Sequence, residues 1–151
     1  DLRAQQLNMM KELRALSKNE RFEQPLRLLM TIPGIAQVSG LTILSEIDDI
    51  ARFKDSSHLA SFVGLIPMCY SSGEHDGTGN LTVRRHAQLR WLIVESAWIA
   101  ARKDPVLAAA YVEYCRRMKP SKAIVKIARR LVNRIYFVLK HQHPYVNCYV
   151  S

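Results

Sequence analysis

The sequence has few cysteines and no long apolar run, and both shortages limit what the chain can be. Its three cysteines among 151 residues are odd in number and far apart, which excludes a disulfide framework and a paired-cysteine zinc site. No apolar run is long enough to span a bilayer, and no charged-then-apolar leader opens the chain. We therefore expect a soluble, cytoplasmic protein, and the start at Asp1 inside a helical pattern predicts a piece of a longer one.

Acidic side chains are missing from the carboxyl-terminal quarter of the chain. The last acid in the sequence is Glu113, just before that quarter begins. The chain has 22 Lys and Arg against 13 Asp and Glu, a net charge of +9. Nine basic residues follow Glu113 and account for that entire excess. Such a separation of charge indicates a polyanionic partner, either nucleic acid or an anionic membrane.

Apolar spacing predicts an all-α fold. Hydrophobic residues make up 48% of the chain, which is enough for one domain with a proper core. Helical periodicity covers residues 1–30, with a break at 17–19 or at Pro25, and Asp104-Pro105 is a strong helix-start signal. We divide the chain into three parts, namely 1–28 as the end of a coiled-coil or helical arm, 29–140 as a helical domain, and 141–151 as a tail.

A tight turn, Ile32-Pro33-Gly34-Ile35, separates an apolar helix end from a second apolar segment. This pattern predicts a helix-hairpin-helix motif, in which Gly34 and Ile35 would offer backbone N–H groups to a DNA phosphate. Ala36 stands where the motif usually has its second glycine, and Gly40 where alanine is common. The alternative is an ordinary αα-hairpin packed in the core, and the sequence leaves both open.

The last predicted helix, residues 122–140, has an apolar side and a basic side. Steps of 100° bring five cations onto one arc, namely Lys122, Lys126, Arg129, Arg130 and Arg134. The arc is a candidate nucleic-acid footprint, although a solvated cationic face remains an alternative. A membrane-surface helix has the same form, but the apolar side lacks interfacial Trp, so we expect no membrane partner.

Candidate chemistry lies in the hydroxyl-rich stretch 70–73, Tyr-Ser-Ser-Gly. We expect Pro67 to stop the preceding helix, and three glycines at 73, 77 and 79 to keep the next dozen residues in a loop. A helix with Arg84, Arg85, His86 and Arg90 in its first turns should follow, so Ser72 would lie near cations as a nucleophile for an anionic phosphodiester. Ser-Ser-Gly is also ordinary turn composition, and Cys69 is an alternative nucleophile.

We assign no metal site to this chain. The three acids at 46, 48 and 49 lie beside Arg52 and Lys54, which favours a solvated, salt-bridged corner over a Mg²⁺ site. His141, His143 and Cys148 are suitable ligand types, but they occupy a terminal tail, where Tyr145 and Tyr149 could dock instead.

The order of these features resembles a known family across about residues 29–139. The resemblance rests on the hairpin 32–35, on Glu46-Ile47 and the segment 49–53, on 59–67 (LASFVGLIP), on 70–73 (YSSG), and on Leu89-Arg90-Trp91 with Val94-Glu95-Ser96-Ala97. Together these pieces resemble the carboxyl-terminal domain of the bridge-RNA-guided serine transposases of insertion sequences, which the pilin-gene inverting recombinases share.

The resemblance implies a nucleophile and a reaction. The serine before the glycine corresponds to Ser72, with Ser71 as second choice, and would attack DNA to form a covalent phosphoserine and release a 3′-hydroxyl. From charge and position we infer that Arg84 and Arg90 steady the phosphate. This chain has Arg84-Arg85-His86 where the family often has Lys/Arg-Gly-Asn.

The resemblance also implies partners and a missing domain. Family members carry an amino-terminal RuvC-like domain that binds Mg²⁺, use a guide RNA and act as homo-oligomers on DNA. We therefore expect this chain to have no cofactor of its own and not to recombine DNA alone. Two rival interpretations stay open, namely a non-catalytic nucleic-acid-binding module and a structural oligomerisation domain.

Overall fold

The computed structural model describes residues 1–65 and 77–146, with the backbone alone over 77–85. Within these residues the chain is entirely helical, which confirms the predicted all-α class. Its elements are α1 (Leu2–Ser17), α2 (Glu20–Leu29), α3 (Gln37–Ile47), a 3₁₀ turn (Ile50–Arg52), α4 (Ser56–Val63), α5 (Gly77–Lys103), α6 (Pro105–Cys115) and α7 (Pro120–His141). Among the described residues, no helix combines the length and apolar character that crossing a membrane requires.

Short polar side chains begin several of these helices, as the sequence predicts. Asn19 accepts a hydrogen bond from the Arg21 N–H at 3.0 Å and begins α2, which confirms the break before it. Asp55 accepts from the His58 N–H at 2.9 Å at the start of α4. Asp104 accepts from the Val106 N–H at 2.9 Å and begins α6, with proline at its first position.

Helix α7 is the centre of the core. It packs against α5, α4, α6 and α2, so most elements of the fold touch it. The predicted apolar side of α7 is buried, which confirms it, and includes Ile124, Ile127, Leu131, Ile135 and Val138. Helix α5 also buries one side, which includes Leu89, Ile93, Ser96, Ala97 and Ala100. Small residues on α5 allow the neighbouring backbones to approach closely.

Three local predictions were wrong. The chain does not break at Pro25, which is the sixth residue of α2, because the buried Leu26 and Leu29 hold the helix that follows it in the core. Helix α4 ends at Gly64, which has a left-handed φ of +87°, before Pro67 is reached. Helix α5 begins at Gly77, since extending a long helix needs no new nucleation and offsets the weak propensity of glycine.

Helix α1 differs from the rest because none of its sixteen residues, all of which the structure describes, is buried. It contacts α2 and α3 and leaves several large apolar side chains exposed, among them Leu2, Leu7, Met9 and Met10. Helix α2, in contrast, contributes three buried leucines to the core.

Candidate functional site

The hairpin between α2 and α3 is anchored against α5. Gly34 has a φ of +97°, and its α-carbon faces the α5 backbone: an added β-carbon would overlap the Ser96 carbonyl oxygen and lie 3.2 Å from the Ala100 nitrogen. The Ile35 side chain is 6% exposed, and its N–H donates to the Ile32 carbonyl at 3.2 Å. The turn is therefore held firmly, and the phosphate contacts predicted for Gly34 and Ile35 stay a prediction.

Close packing of α2 on α3 depends on Gly40. A β-carbon there would lie 2.6 Å from Cδ1 of Leu26. The small residue in the second helix therefore allows the two helices to approach closely. At the start of α3, the Ser39 hydroxyl accepts from the Ala36 N–H at 2.9 Å. The two helices thus form a tight pair joined by a short turn, and the helix-hairpin-helix assignment itself remains a prediction.

Arg90 lies against the residue that follows α4. The end of its side chain crosses Gly64, where Nη1 would be 3.0 Å from an added β-carbon. In the sequence, Gly64 is eight residues before Ser72. Trp91 beside it is 63% exposed.

The side chains of the other proposed nucleophiles and of two predicted arginines are outside the described part of the structure. Ser72, Ser71 and Cys69 fall outside the described residues. Arg84 and Arg85 belong to the first turns of α5, where the backbone alone is described. Of the three arginines predicted near Ser72, Arg90 is therefore the one whose side chain the structure describes.

A stack of rings joins the start of α5 to α4, and sequence reasoning missed it. The rings of Phe62 and His86 have centroids 4.0 Å apart, and those of Phe53 and Phe62 are 5.2 Å apart. The Arg52 guanidinium lies over both phenylalanines, 5.3 and 5.4 Å from their centroids. Since His86 is one turn before Arg90, this stack fixes the part of α5 that presents Arg90.

The basic side of α7 is braced by tyrosine. Arg130 Nε donates to the Tyr114 hydroxyl at 3.0 Å, and the Lys126 ammonium lies 5.5 Å from the centre of the same ring. Lys122 and Lys126 are exposed, whereas Arg130 is half-buried. An arginine held in this way loses less conformational entropy when it binds a phosphate.

The predicted arc of five cations is not one continuous face, and this is a correction. Arg129 turns toward the start of α4, where it donates to the Ser57 hydroxyl at 3.1 Å and the Ser56 carbonyl at 3.5 Å. Arg130 and Arg134 turn to the opposite flank, toward α6 and the tail. Angular spacing gave the positions on α7 correctly, but neighbouring acceptors decided the directions of the long side chains.

The tail docks through Tyr145, as one of the open alternatives predicted. Its hydroxyl donates to the Asp104 carboxylate and accepts from Arg134 Nε at 3.0 Å, and its N–H donates to the Thr31 hydroxyl at 2.8 Å. Burial and the hydrogen bond to Asp104 raise the pKa of the Tyr145 hydroxyl, and the Arg134 charge partly opposes them. The remaining docking candidate, Tyr149, falls outside the described residues, as does Cys148.

The acidic corner after α3 is used for structure. Asp48 pairs with Arg21, and Asp49 accepts from the Ala51 N–H at 3.0 Å. Arg52 donates to the Ile47 carbonyl at 2.7 Å. Among the described residues no group of three or more His, Cys, Asp or Glu side chains comes together as a metal site would require.

Comparison with known proteins gives these features a context. A family model described as "Transposase IS116/IS110/IS902 family" matches residues 26–112, more than half of the chain. The matched segment begins within α2 and ends within α6. It includes the hairpin, the sequence 66–76 with Ser72, and α5. The chain belongs to this transposase family.

Named relatives agree with the family. The chain is 28% identical over 142 residues to the "Transposase for insertion sequence element IS1111A" of Coxiella burnetii, covering 89% of this chain and 37% of that protein. It is 26% identical over 128 residues to the "Insertion element IS116 uncharacterized 44.8 kDa protein" of Streptomyces clavuligerus, covering 84% and 32%. The chain thus spans about a third of the length of these curated relatives.

Proposed function

We propose that this chain is the serine-bearing half of a DNA transposase active site, with Ser72 as the nucleophile. The observation that carries the proposal is the family match over residues 26–112, a segment that contains Ser72. Arg90 adds physical support, because its guanidinium crosses Gly64, eight residues before Ser72 in the sequence.

The proposed step is a transesterification at a DNA phosphate. The Ser72 oxygen forms a bond to phosphorus, the bond from phosphorus to the 3′ oxygen breaks, and the serine proton is balanced by the proton that the leaving 3′-hydroxyl gains. Negative charge builds up on the phosphate oxygens during this exchange. Arg90 and Arg84, one turn and more apart on α5, would stabilise that charge. Ser71 is the second choice as nucleophile.

Further contacts would hold the DNA. The cations of α7 form a positive surface that is available to phosphates at Lys122, Lys126 and Arg130, while Arg129 would first have to leave Ser56 and Ser57. The other proposed contacts are Gly34 and Ile35 of the hairpin and Arg85 of α5. Because Ile35 donates its N–H within the turn, the hairpin would meet phosphate mainly through the neighbouring start of α3.

We further propose that the activity belongs to a longer protein that works with a guide RNA and as a homo-oligomer. A Mg²⁺ ion, if used, does not fit the carboxylates described in this chain, since Asp48 is paired with Arg21 and Asp49 caps the 3₁₀ turn. As the family resemblance implies, the metal would bind in the amino-terminal part of the longer protein. The 151-residue chain alone would bind DNA without recombining it.

The test is transposition by the full-length protein carrying Ser72→Ala, with Ser71→Ala and Cys69→Ala as matched variants of the same loop. We expect Ser72→Ala alone to abolish transposition while DNA affinity stays within about twofold of the unaltered protein, because the hydroxyl is needed for covalent chemistry and not for binding. Full activity of Ser72→Ala would sink the assignment.

A non-catalytic nucleic-acid-binding module is the second candidate. The bracing of Arg130 and Lys126 by Tyr114 favours it, because a preorganised cationic surface binds phosphate without any nucleophile. This candidate predicts that Ser72→Ala changes neither transposition nor binding, so the same experiment separates the two.

A further inference from the structure

A cleft of about 450 Å³ lies between α7 and the tail. The α7 side contributes Asn133, Arg134 and Phe137, and the tail contributes His143 and the residues after it up to Val146. The volume is within the range of pockets that hold small organic ligands. Of the cations in the predicted basic arc of α7, Arg134 lines this cleft, and the hairpin residues Gly34 and Ile35 do not.

The cleft presents a flat aromatic surface beside hydrogen-bonding groups. Phe137 is 54% exposed, although its ring also lies 4.5 Å from that of His141, centroid to centroid. Asn133 is exposed one helical turn before Phe137, and its amide can both donate to and accept from the edge of a base. Such a combination suits a planar heteroaromatic group that stacks on the ring and pairs with the amide.

Charge around the cleft favours an anion attached to that planar group. Arg134 lines the cleft, and no acidic residue occurs in the sequence after Glu113. The buried carboxylate in the neighbourhood, Asp104, is 1% exposed and is bridged to Arg134 through the Tyr145 hydroxyl, so it does not line the cleft. A base joined to a phosphate matches both properties, because Arg134 already donates to the Tyr145 hydroxyl and the Arg130 carbonyl but still carries a charge that a phosphate can neutralise.

We propose that this cleft binds an unpaired nucleotide of single-stranded DNA, with the base stacked on Phe137, its edge on Asn133, and the adjoining phosphate near Arg134. The base must be unpaired, because a stacked and paired base cannot present its face to a side chain. This proposal rests on the proposed function only in its assumption that the bound nucleic acid is DNA, and it does not need Ser72.

The test measures binding of a short fluorescein-labelled oligothymidylate by the 151-residue chain, beside the same oligonucleotide paired as a duplex. Phe137→Leu removes the ring at an exposed position and keeps an apolar side chain. We expect it to weaken single-strand binding about tenfold, the size of effect that loss of one base-stacking contact gives, and to leave duplex binding within about twofold. Phe137→Tyr keeps the ring and should bind as the unaltered chain does.

Val112→Ala is the matched control, because Val112 is a 58% exposed apolar residue on α6 that does not line the cleft. Single-strand binding unchanged by Phe137→Leu would overturn the proposal, and so would an equal loss of duplex binding. Tighter binding of an RNA oligonucleotide that also depends on Phe137 would overturn the assignment to DNA. Transposition of the Ser72→Ala protein tests the proposed function separately, so the two can fail independently.

Discussion

Tyr145 donates its hydroxyl hydrogen to the carboxylate of Asp104, and this bond joins the tail to the start of α6. The same carboxylate accepts from the Val106 N–H, so a single buried acid both begins a helix and holds the end of the chain. Arg134 donates to the Tyr145 hydroxyl from α7, which makes that hydroxyl the link between a cation and a buried anion. One small hydrogen-bond network therefore ties Tyr145 to α6 and α7.

Tyr145→Phe should destabilise the chain. The change leaves the buried Asp104 carboxylate without one of its donors, and a lost hydrogen bond to a charged group lowers the free energy of unfolding by about 1–3 kcal/mol. Urea unfolding followed by circular dichroism measures this difference. Val146→Ala, the neighbouring exposed position, is the control and should stay within about 0.5 kcal/mol. Equal effects of the two changes would mean that the hydroxyl is not the source.

Stability should fall at high pH through the same hydroxyl. The pKa of Tyr145 is raised above its ordinary value of 10.0, so the folded state holds this proton more tightly than the unfolded state does. The resulting stability is fully present below pH 10.0 and is lost as the pH rises through the folded-state pKa.

The measurement is the difference in unfolding free energy between the unaltered chain and Tyr145→Phe, as a function of pH. This difference should shrink above pH 10.0. Tyr111, whose pKa is also raised, mainly by a hydrogen bond with Cys115, is present in both proteins, so its contribution cancels. A difference that stays constant across this range would contradict the assignment.

Gly34→Ala should be far more damaging than Gly64→Ala. Both glycines have positive φ, and a left-handed conformation costs any other residue about 1–2 kcal/mol. At Gly34 the new methyl group also overlaps the backbone of α5, whereas at Gly64 it meets the flexible end of Arg90. We expect a further loss of about 1–3 kcal/mol for Gly34→Ala in urea unfolding. Similar midpoints for the two variants would show that the hairpin can move away from α5.

Lys126→Ala should reduce the salt dependence of duplex DNA binding. If the α7 surface meets phosphates, removing one contact lowers the slope of log K against log salt by about 0.9. Lys126 is exposed but lies over the Tyr114 ring, so the unfolding free energy should change by no more than about 1 kcal/mol. Lys11→Ala is the control, since it removes an exposed cation from α1. An unaltered slope for Lys126→Ala would remove that residue from the interface.

Local signals in the sequence predicted most of the fold. The Asp104-Pro105 pair predicted the start of α6 correctly, because a cap depends on residues adjacent in the chain. The apolar side of α7 was also predicted correctly, since a helix has a fixed rotation per residue.

The parts that the sequence did not predict depend on contacts between distant segments. Arg129 turns to Ser57, 72 residues away, and Tyr145 reaches Asp104, 41 residues away. No periodicity within a single helix contains that information. The sequence predicted which residues belong to the candidate site but not their contacts. The structure adds the contacts of Arg90, the hairpin and the α7 cations.

Helix α5 contacts both Gly34 and Gly64, so the length of helix between the two contacts sets the distance between these glycines. Arg90 meets Gly64, and Ser96 to Ala100 meet Gly34, so six to ten residues of helix separate the two contacts. At a rise of about 1.5 Å per residue, that is about 9–15 Å along the axis. Inserting one residue between Arg90 and Ser96 would turn one contact about 100° away from the other. Length variation should therefore not be tolerated within this stretch of α5.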